Sequence, residues 1–390
     1  MVKTGISVIA GVVLLLSTSV AQERTLTVRV TNPSMVARVS ETISIRVDSL
    51  KTILSPDKPA PLIVREAGTQ DELRSQLVDD NQDGTPDELI FQSDFKPGEN
   101  KTFMITSPAG QKPPSASMTD ARYVEPREDL AWENDRIAFR VYGPALAAEV
   151  NNGIDVWTKR VRYLIVKKWY EGEEQIPKII YHVDHGEGAD FFDVGNSLGC
   201  GGTGVWFQSK VYQPGVFSSY KVISAGPIRA CFELYYDKWN VDGRKFREIK
   251  TITLDAGQNL NHVEVRFMSV DSAQPTTLAC GLVKRPNTRW YKNDEHHWMS
   301  LWGLTTDSLV NGYLGTGVVF PGNRFTGWTE DSLQYIALLR TNGKSVLSYY
   351  AGAGWTRSGD FKSEEDWNGY LDRFSVNLQT PLQLAIVHGR

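Results

Sequence analysis

Residues 181–202 read YHVDHGEGADFFDVGNSLGCGG. Two of the chain's six histidines, His182 and His185, stand there with Asp184, Glu187, Asp190 and Asp193. Imidazole titrates near neutral pH, and a carboxylate beside it can orient the ring, so the set suits acid/base catalysis. The same side chains could ligate a transition metal. The order HxDHGEG matches no zinc signature, which ranks acid/base chemistry above metal binding. Glycines 186, 188, 195, 199, 201 and 202 would let this loop approach a ligand closely. If KIIYHVDH is a strand running into that loop, alternation sets His182 and Asp184 on one face and His185 on the other. The competing reading gives each histidine a purely structural place.

Five further stretches carry chemistry-bearing side chains. In LAWENDRIAFRVYGPAL, Ile137, Phe139 and Val141 should face a core, while Arg140 and Tyr142 face the other way. If that second face lines a cleft, Arg140 can receive a carboxylate as a bidentate partner, with Asn134 nearby. DVWTKR adds Trp157 and Lys159. YKNDEHHWMSLWG adds His297 and Trp298, and YYAGAGWTRSGDF adds Trp355 and Arg357. Flat indole faces match the C–H face of a pyranose, and the chain has 11 tryptophans and 15 tyrosines. Finally, DDNQDGTPDEL sets Asp79, Asn81 and Asp83 at alternate positions before Gly84, with Asp87 beyond, like the start of a calcium loop. An EF-hand is excluded, since its closing glutamate position is Ile90. A short structural calcium loop and a plain acidic turn remain the two readings. No other cofactor is implied.

Strands must position these groups. TLTVRV, TISIRV, RIAFRVY, VRYLIV, HVEVRF and LQYIALLR alternate or run apolar, with Gly, Pro, Asn and Asp between them. The best helix is SEEDWNGYLDRF, with Ser363 as cap and acids in the first turn. The expectation is an all-β protein of large sandwiched sheets. A Pro- and Ser-rich stretch around residues 107–126 reads as a linker or strap. This gives a signal segment over 1–21, a β module over 22–110, a linker over 111–129 and a β super-sandwich over 130–390. The signal reading rests on Lys3, an apolar run from Ile6 to Leu16 and a small-residue site ending at Ala21; the run is too short to span a bilayer. It implies export, to the periplasm in a Gram-negative host. With a net charge of -4 and no basic run, nucleic acid is an improbable partner. Three cysteines allow one disulfide and a free thiol, or three buried apolar residues. No nucleophile elbow, phosphate loop or dinucleotide fingerprint occurs.

Taken together, QLVDDNQDGTPDELIFQSDF, AWENDRIAFRVYGPAL, DVWTKR, the 181–202 block and GWTRSGDF resemble one secreted family. It is long described as a domain of unknown function and belongs to polysaccharide-utilisation clusters of Bacteroidota. One member is an oligosaccharide dehydratase of ulvan breakdown. The resemblance implies a galactose-mutarotase-like super-sandwich and an acidic oligosaccharide as substrate. It implies a carbon–oxygen lyase that removes the C4 hydroxyl of a terminal glucuronate as water. For that chemistry Asn134 and Arg140 are candidates for the substrate carboxylate, and His182 and His185 for base and acid. Asp184 would orient them, and Tyr142 or His297 could replace either. Trp157, Trp298 and Trp355 would form the sugar platform. A glycoside hydrolase acting on uronate oligosaccharides and a non-catalytic glycan binder are the alternatives. Oligomeric state stays open.

Overall fold

A computed structural model describes residues 25–51, 62–69, 71–107, 115–125, 127–269, 276–322, 324–341 and 346–387. The signal segment 1–21 lies outside the described residues. The chain is all-β, as its alternation requires, with two α-helices among the described residues laid on the sheets.

The first unit is a sandwich of a five-stranded and a three-stranded sheet. In Thr25–Thr31, Leu26, Val28 and Val30 point inward and the residues between them outward. They meet Ile43, Phe91, Phe103 and Ile105 in one apolar core. One strand of this unit comes from the far end of the chain. Gln383–Val387 pairs antiparallel with Thr25–Thr31. The expected boundary of a second domain running to residue 390 therefore does not hold.

The second unit has an eight-stranded sheet as its frame. Its order runs Ser219–Ala225, Arg229–Val241, Arg244–Asp255, Leu260–Ser269, Val346–Trp355, Tyr313–Val319, Trp298–Leu304 and Thr288–Asn293. Two five-stranded sheets cover its inner face. One contains Cys200–Phe207 and Thr276–Val283. The other, the flanking sheet below, runs Gly188–Asp190, Asp155–Lys159, Ile137–Val141, Asp129–Asn134 and Thr119–Val124. A single bridge between Ile154 and Gly199 joins these two covering sheets. All three sheets share the main core, which takes Trp132, Phe139, Phe232, Val263 and Tyr349 among others. Thr119–Val124 is a sheet strand paired with Asp129–Asn134, so the expected linker over 111–129 ends earlier than expected.

The outer face of the large sheet is covered in two ways. Helix α2, Glu364–Gln379, lies over one half. Ser363 caps it, accepting from the Asp366 amide, as the sequence predicts. Gly315 permits this seat: a Cβ there would stand 2.6 Å from the Trp367 ring. The first unit covers the other half. Gln76 accepts from the Ile228 and Arg229 amides, and Gln92 donates to the Ala256 carbonyl.

Two sequence expectations fail beside the flanking sheet. VRYLIV does not form a strand; it leads into helix α1, Val166–Glu174. KIIYHVDH is not a strand either, but a turn-rich return from α1. Tertiary packing decides both. Ile165, Val166, Trp169, Tyr170 and Tyr181 are buried against Trp157 on the outer face of the flanking sheet.

Candidate functional site

The alternation in Ile137–Val141 falls as the sequence predicts, with Phe139 in the main core and Arg140 on the opposite face. That face is not an open cleft. It lies under α1 and residues 175–188, and Arg140 is 4% exposed. Its Nε and Nη2 donate to Asp155 Oδ2 at 2.9 and 2.6 Å. Nη2 also reaches Asp190 Oδ2 at 2.7 Å and the Tyr142 hydroxyl at 3.1 Å, and Nη1 donates to the Tyr181 hydroxyl at 3.0 Å. A third carboxylate, Asp129, stands 3.8 Å away. Arg140 is thus saturated by internal partners. The expectation that it receives a substrate carboxylate fails because the chain supplies its own.

Three acids around one guanidinium cannot all stay charged away from water. Burial pushes Asp129 up to about 6, against the pull of Arg140. Burial and the neighbouring Asp155 push Asp190 well above the usual carboxylate range. Burial and Asp155 likewise raise the Tyr142 phenol, which donates to Asp155 Oδ2 at 3.2 Å and stays protonated at neutral pH.

His182 stands at the edge of this nest. Its side chain is 57% exposed. Nδ1 lies 3.0 Å from the Asp190 carbonyl and 3.5 Å from Asp190 Oδ2. A proton on Nδ1 satisfies that carbonyl and leaves Nε2 with a lone pair. Asp190, not Asp184, therefore orients His182. Asp184 instead pairs with Arg160 and accepts from the Gly186 and Gly188 amides, since residues 181–187 turn rather than extend. Burial opposes its charge, but these bonds prevail and hold its carboxyl below the ordinary value.

Beside the nest is a cleft of about 630 Å³ whose lining includes Tyr163, Trp169, Tyr181, His185 and Glu187. Lys168 is on its rim, 64% exposed, 2.6 Å from Glu187 Oε1. Glu187 also accepts from Tyr163 and from Trp169 Nε1. Burial works against its charge, yet bonds from Lys168, Tyr163 and Trp169 hold its carboxyl below the usual range. Ile179 and Val183, both about half exposed, add apolar surface at the mouth.

Other expected residues have structural posts. Asn134 is fully buried. Its amide donates to the Asp255 and Gln258 carbonyls and its oxygen accepts from the Arg136 and Ile137 amides. Lys159, also buried, donates to Glu133 at 2.6 Å. Glu133 accepts from the Ile165 and Val166 amides, so the pair caps the start of α1. Trp157 is wholly buried, stacked on Trp169 and Tyr181. Trp298 lies under α2 and donates to Asp372. Trp355 is buried with its indole N–H on the Asn311 carbonyl. His297 packs on Phe325 in the hairpin that joins Thr288–Asn293 to Trp298–Leu304. Arg357 is exposed in a short turn after Val346–Trp355. None of these seven shares the His182 neighbourhood as a free group.

In the acidic loop, Asp79 accepts from the Asp83 and Gly84 amides and Asn81 from the Asp83 amide. Asp87 accepts from the Asp80 and Asn81 amides. These oxygens close the turn on itself, and among the described residues no three His, Cys, Asp or Glu side chains cluster as a metal site. All three cysteines are free and buried, and burial pushes Cys200 up to about 12 and Cys231 up to about 11, so neither is a ready thiolate. Among the described residues no helix is long and apolar enough to cross a membrane.

The fold and site define a class: an all-β super-sandwich with an N-terminal β module and a titratable nest on a flanking sheet. Two solved structures from Enterococcus faecalis share the fold. An alpha-mannosidase matches with a TM-score of 0.51 at 12% identity, covering 95% of this chain and 47% of its own. A protein in glycosyl hydrolase family 38 matches at 0.52 and 13% identity, covering 95% and 48%. The chain spans about half the length of either. By sequence, it belongs to the family described as "Domain of unknown function (DUF4861)", matched over residues 30–384. An "Uncharacterized protein P7" of Formosa agariphila is 32% identical over 384 residues, covering 94% of both chains.

Among groups missed by residue choice, Asp155, Asp129 and Trp169 matter most. Trp169 and Tyr170 lie in VKKWYEGEE, where helical spacing marks a face that the strand reading of VRYLIV obscured.

Proposed function

We propose that this protein is an exported carbohydrate-active lyase that removes water from the non-reducing-end glucuronate of an acidic oligosaccharide. The observation that carries this reading is the His182 imidazole, held at Nδ1 by Asp190, with Nε2 unpartnered among the described residues and the ring exposed. A ring held in this way is placed to take a proton from a bound substrate. Its elimination partner is Tyr142, protonated beside Arg140 and Asp155. The base takes the C5 proton, the C5–H electrons form the C4=C5 bond, and the C4–O bond breaks. The departing hydroxide takes the phenol proton and leaves as water, and the phenolate recovers a proton from solvent. Abstraction next to a carboxylate requires that its charge be offset. The Lys168 ammonium on the cleft rim would take that role by exchanging Glu187 for the substrate carboxylate, with Tyr163 and His185 at the wall. The predicted signal segment, the family membership and the fold shared with glycosidase-family proteins support the glycan assignment.

The test mixes purified protein with glucuronate-terminated ulvan and glucuronan oligosaccharides and follows absorbance near 235 nm, with and without chelator. The expected result is a rise without chain shortening. His182→Ala and Tyr142→Phe should each lower the rate by about 10²–10⁴-fold at unchanged thermal midpoint. Release of a shorter sugar with the rise would mean cleavage instead. A flat trace with intact oligosaccharide binding would move the assignment to a glycan-binding protein.

A further inference from the structure

A second cavity, of about 600 Å³, lies between the two units, on the outer face of the eight-stranded sheet. Its size falls within the span of small-molecule sites, which favour interfaces between units. Three parts of the fold wall it: strands of the N-terminal unit, the large sheet and the end of α2.

Its chemistry is specific. His262 stacks on Tyr350 with ring centres 4.8 Å apart and planes 24° apart, and Phe374 meets Tyr350 edge-on. Together they make an aromatic shelf. The Tyr350 hydroxyl has no hydrogen-bond partner among the described residues and feels the carboxylates of Asp255, Glu41 and Glu264. His262 spends Nε2 on the Ser348 hydroxyl at 2.7 Å. Burial lowers its basicity despite nearby Glu264. Thr251 and Thr253 add hydroxyls on the same wall.

Two of the three arginines in the wall, Arg38 and Arg229, are spoken for. Arg38 donates to Asn32, to Glu41 and to the Asn377 and Thr380 carbonyls. Arg229 makes a fork on Asp255 at 2.7 and 2.9 Å and binds Glu88 at 2.7 Å. Six acids line the cavity against three arginines, so an anionic ligand would meet more repulsion than attraction. Glu41, Glu88 and Asp255 are already paired with Arg38 and Arg229, which weakens the case for an organic cation. An aromatic shelf with hydroxyl, carboxyl and imidazole groups at its rim suits a ligand that is apolar on its faces and hydroxylated at its edges.

We infer that this interface cavity binds a short neutral oligosaccharide, at a place separate from His182. The inference does not rest on the lyase reading.

Isothermal titration of the full chain with xylotriose, cellotriose and mannotriose tests it, with a glucuronate-terminated trisaccharide and putrescine as contrast probes. The expected result is that at least one neutral trisaccharide binds. Thr253→Trp, which fills the cavity, and Tyr350→Ala, which removes the shelf, should weaken that binding by at least 10-fold. His182→Ala should leave it unchanged. Thermal midpoints separate lost binding from lost folding, and Tyr350→Phe serves as a milder variant that keeps the ring. Absence of binding by all three neutral sugars overturns the inference. So does binding that survives Thr253→Trp in folded protein, or a site that takes putrescine or the uronate probe in preference.

Discussion

Arg140 and Arg229 hold the same kind of position in two different settings. Each is an arginine forked onto one aspartate and shared with a second acid. Arg140 is sealed between the flanking sheet and α1, with side-chain exposure of 5%, and its acids are 0–1% exposed. Arg229 is 18% exposed, with Asp255 at 13% and Glu88 at 11%, beside an open cavity. Water decides what each cluster can do. In the sealed nest the charges are compensated only by one another, so protons are retained and the geometry is fixed. In the open one, solvent screens the ions and leaves shelf and hydroxyls free for a ligand.

The comparison is sharpened most by removing each cation. Arg140→Met strands three buried carboxylates and should cost about 3–5 kcal/mol of stability, read by urea unfolding. Arg229→Met should cost clearly less, about 1–2 kcal/mol, because cavity water can reach Asp255 and Glu88. Equal losses would break the contrast.

A second effect is pH dependence. The ordinary aspartate value is 3.8, and Asp129 in the fold sits at about 6. The native state therefore holds a proton that the unfolded chain releases. Its contribution is complete below about pH 4 and is lost as pH rises to about 6, worth at most about 3 kcal/mol. Asp129→Asn should flatten that fall in a series of unfolding curves from pH 4 to 7. An unchanged slope would mean that the nest is wetter than its burial indicates.

The smallest effect belongs to the open side. Glu41→Gln keeps an acceptor for Arg38 and should change stability by less than about 1 kcal/mol, as read from the thermal midpoint. A loss as large as that of Arg140→Met would show the interface to be as tightly coupled as the sealed nest.

Much of the frame was legible in the sequence. Period-2 alternation placed Phe139 inward and Arg140 outward, and Ser363 marked the start of α2. What alternation cannot tell is whether an outward face is wet. Arg140, Trp157 and Lys159 all face away from the main core, but α1 covers them and turns an expected binding face into a second interior. Asn134 and Lys159 looked like ligand contacts because polar types were read without their partners, which are carbonyls and an acid far along the chain. His182 kept an exposed place, while its orienting acid changed from Asp184 to Asp190, because residues 181–187 turn instead of extending.

The pairing of Gln383–Val387 with Thr25–Thr31 sets an order of events. The N-terminal unit cannot be completed until residues 383–387 have been made, because they supply its edge strand. Until then Thr25–Thr31 offers an unpaired edge. Thr25–Thr31 must wait for a partner strand made far downstream, and the unit closes only when that strand arrives.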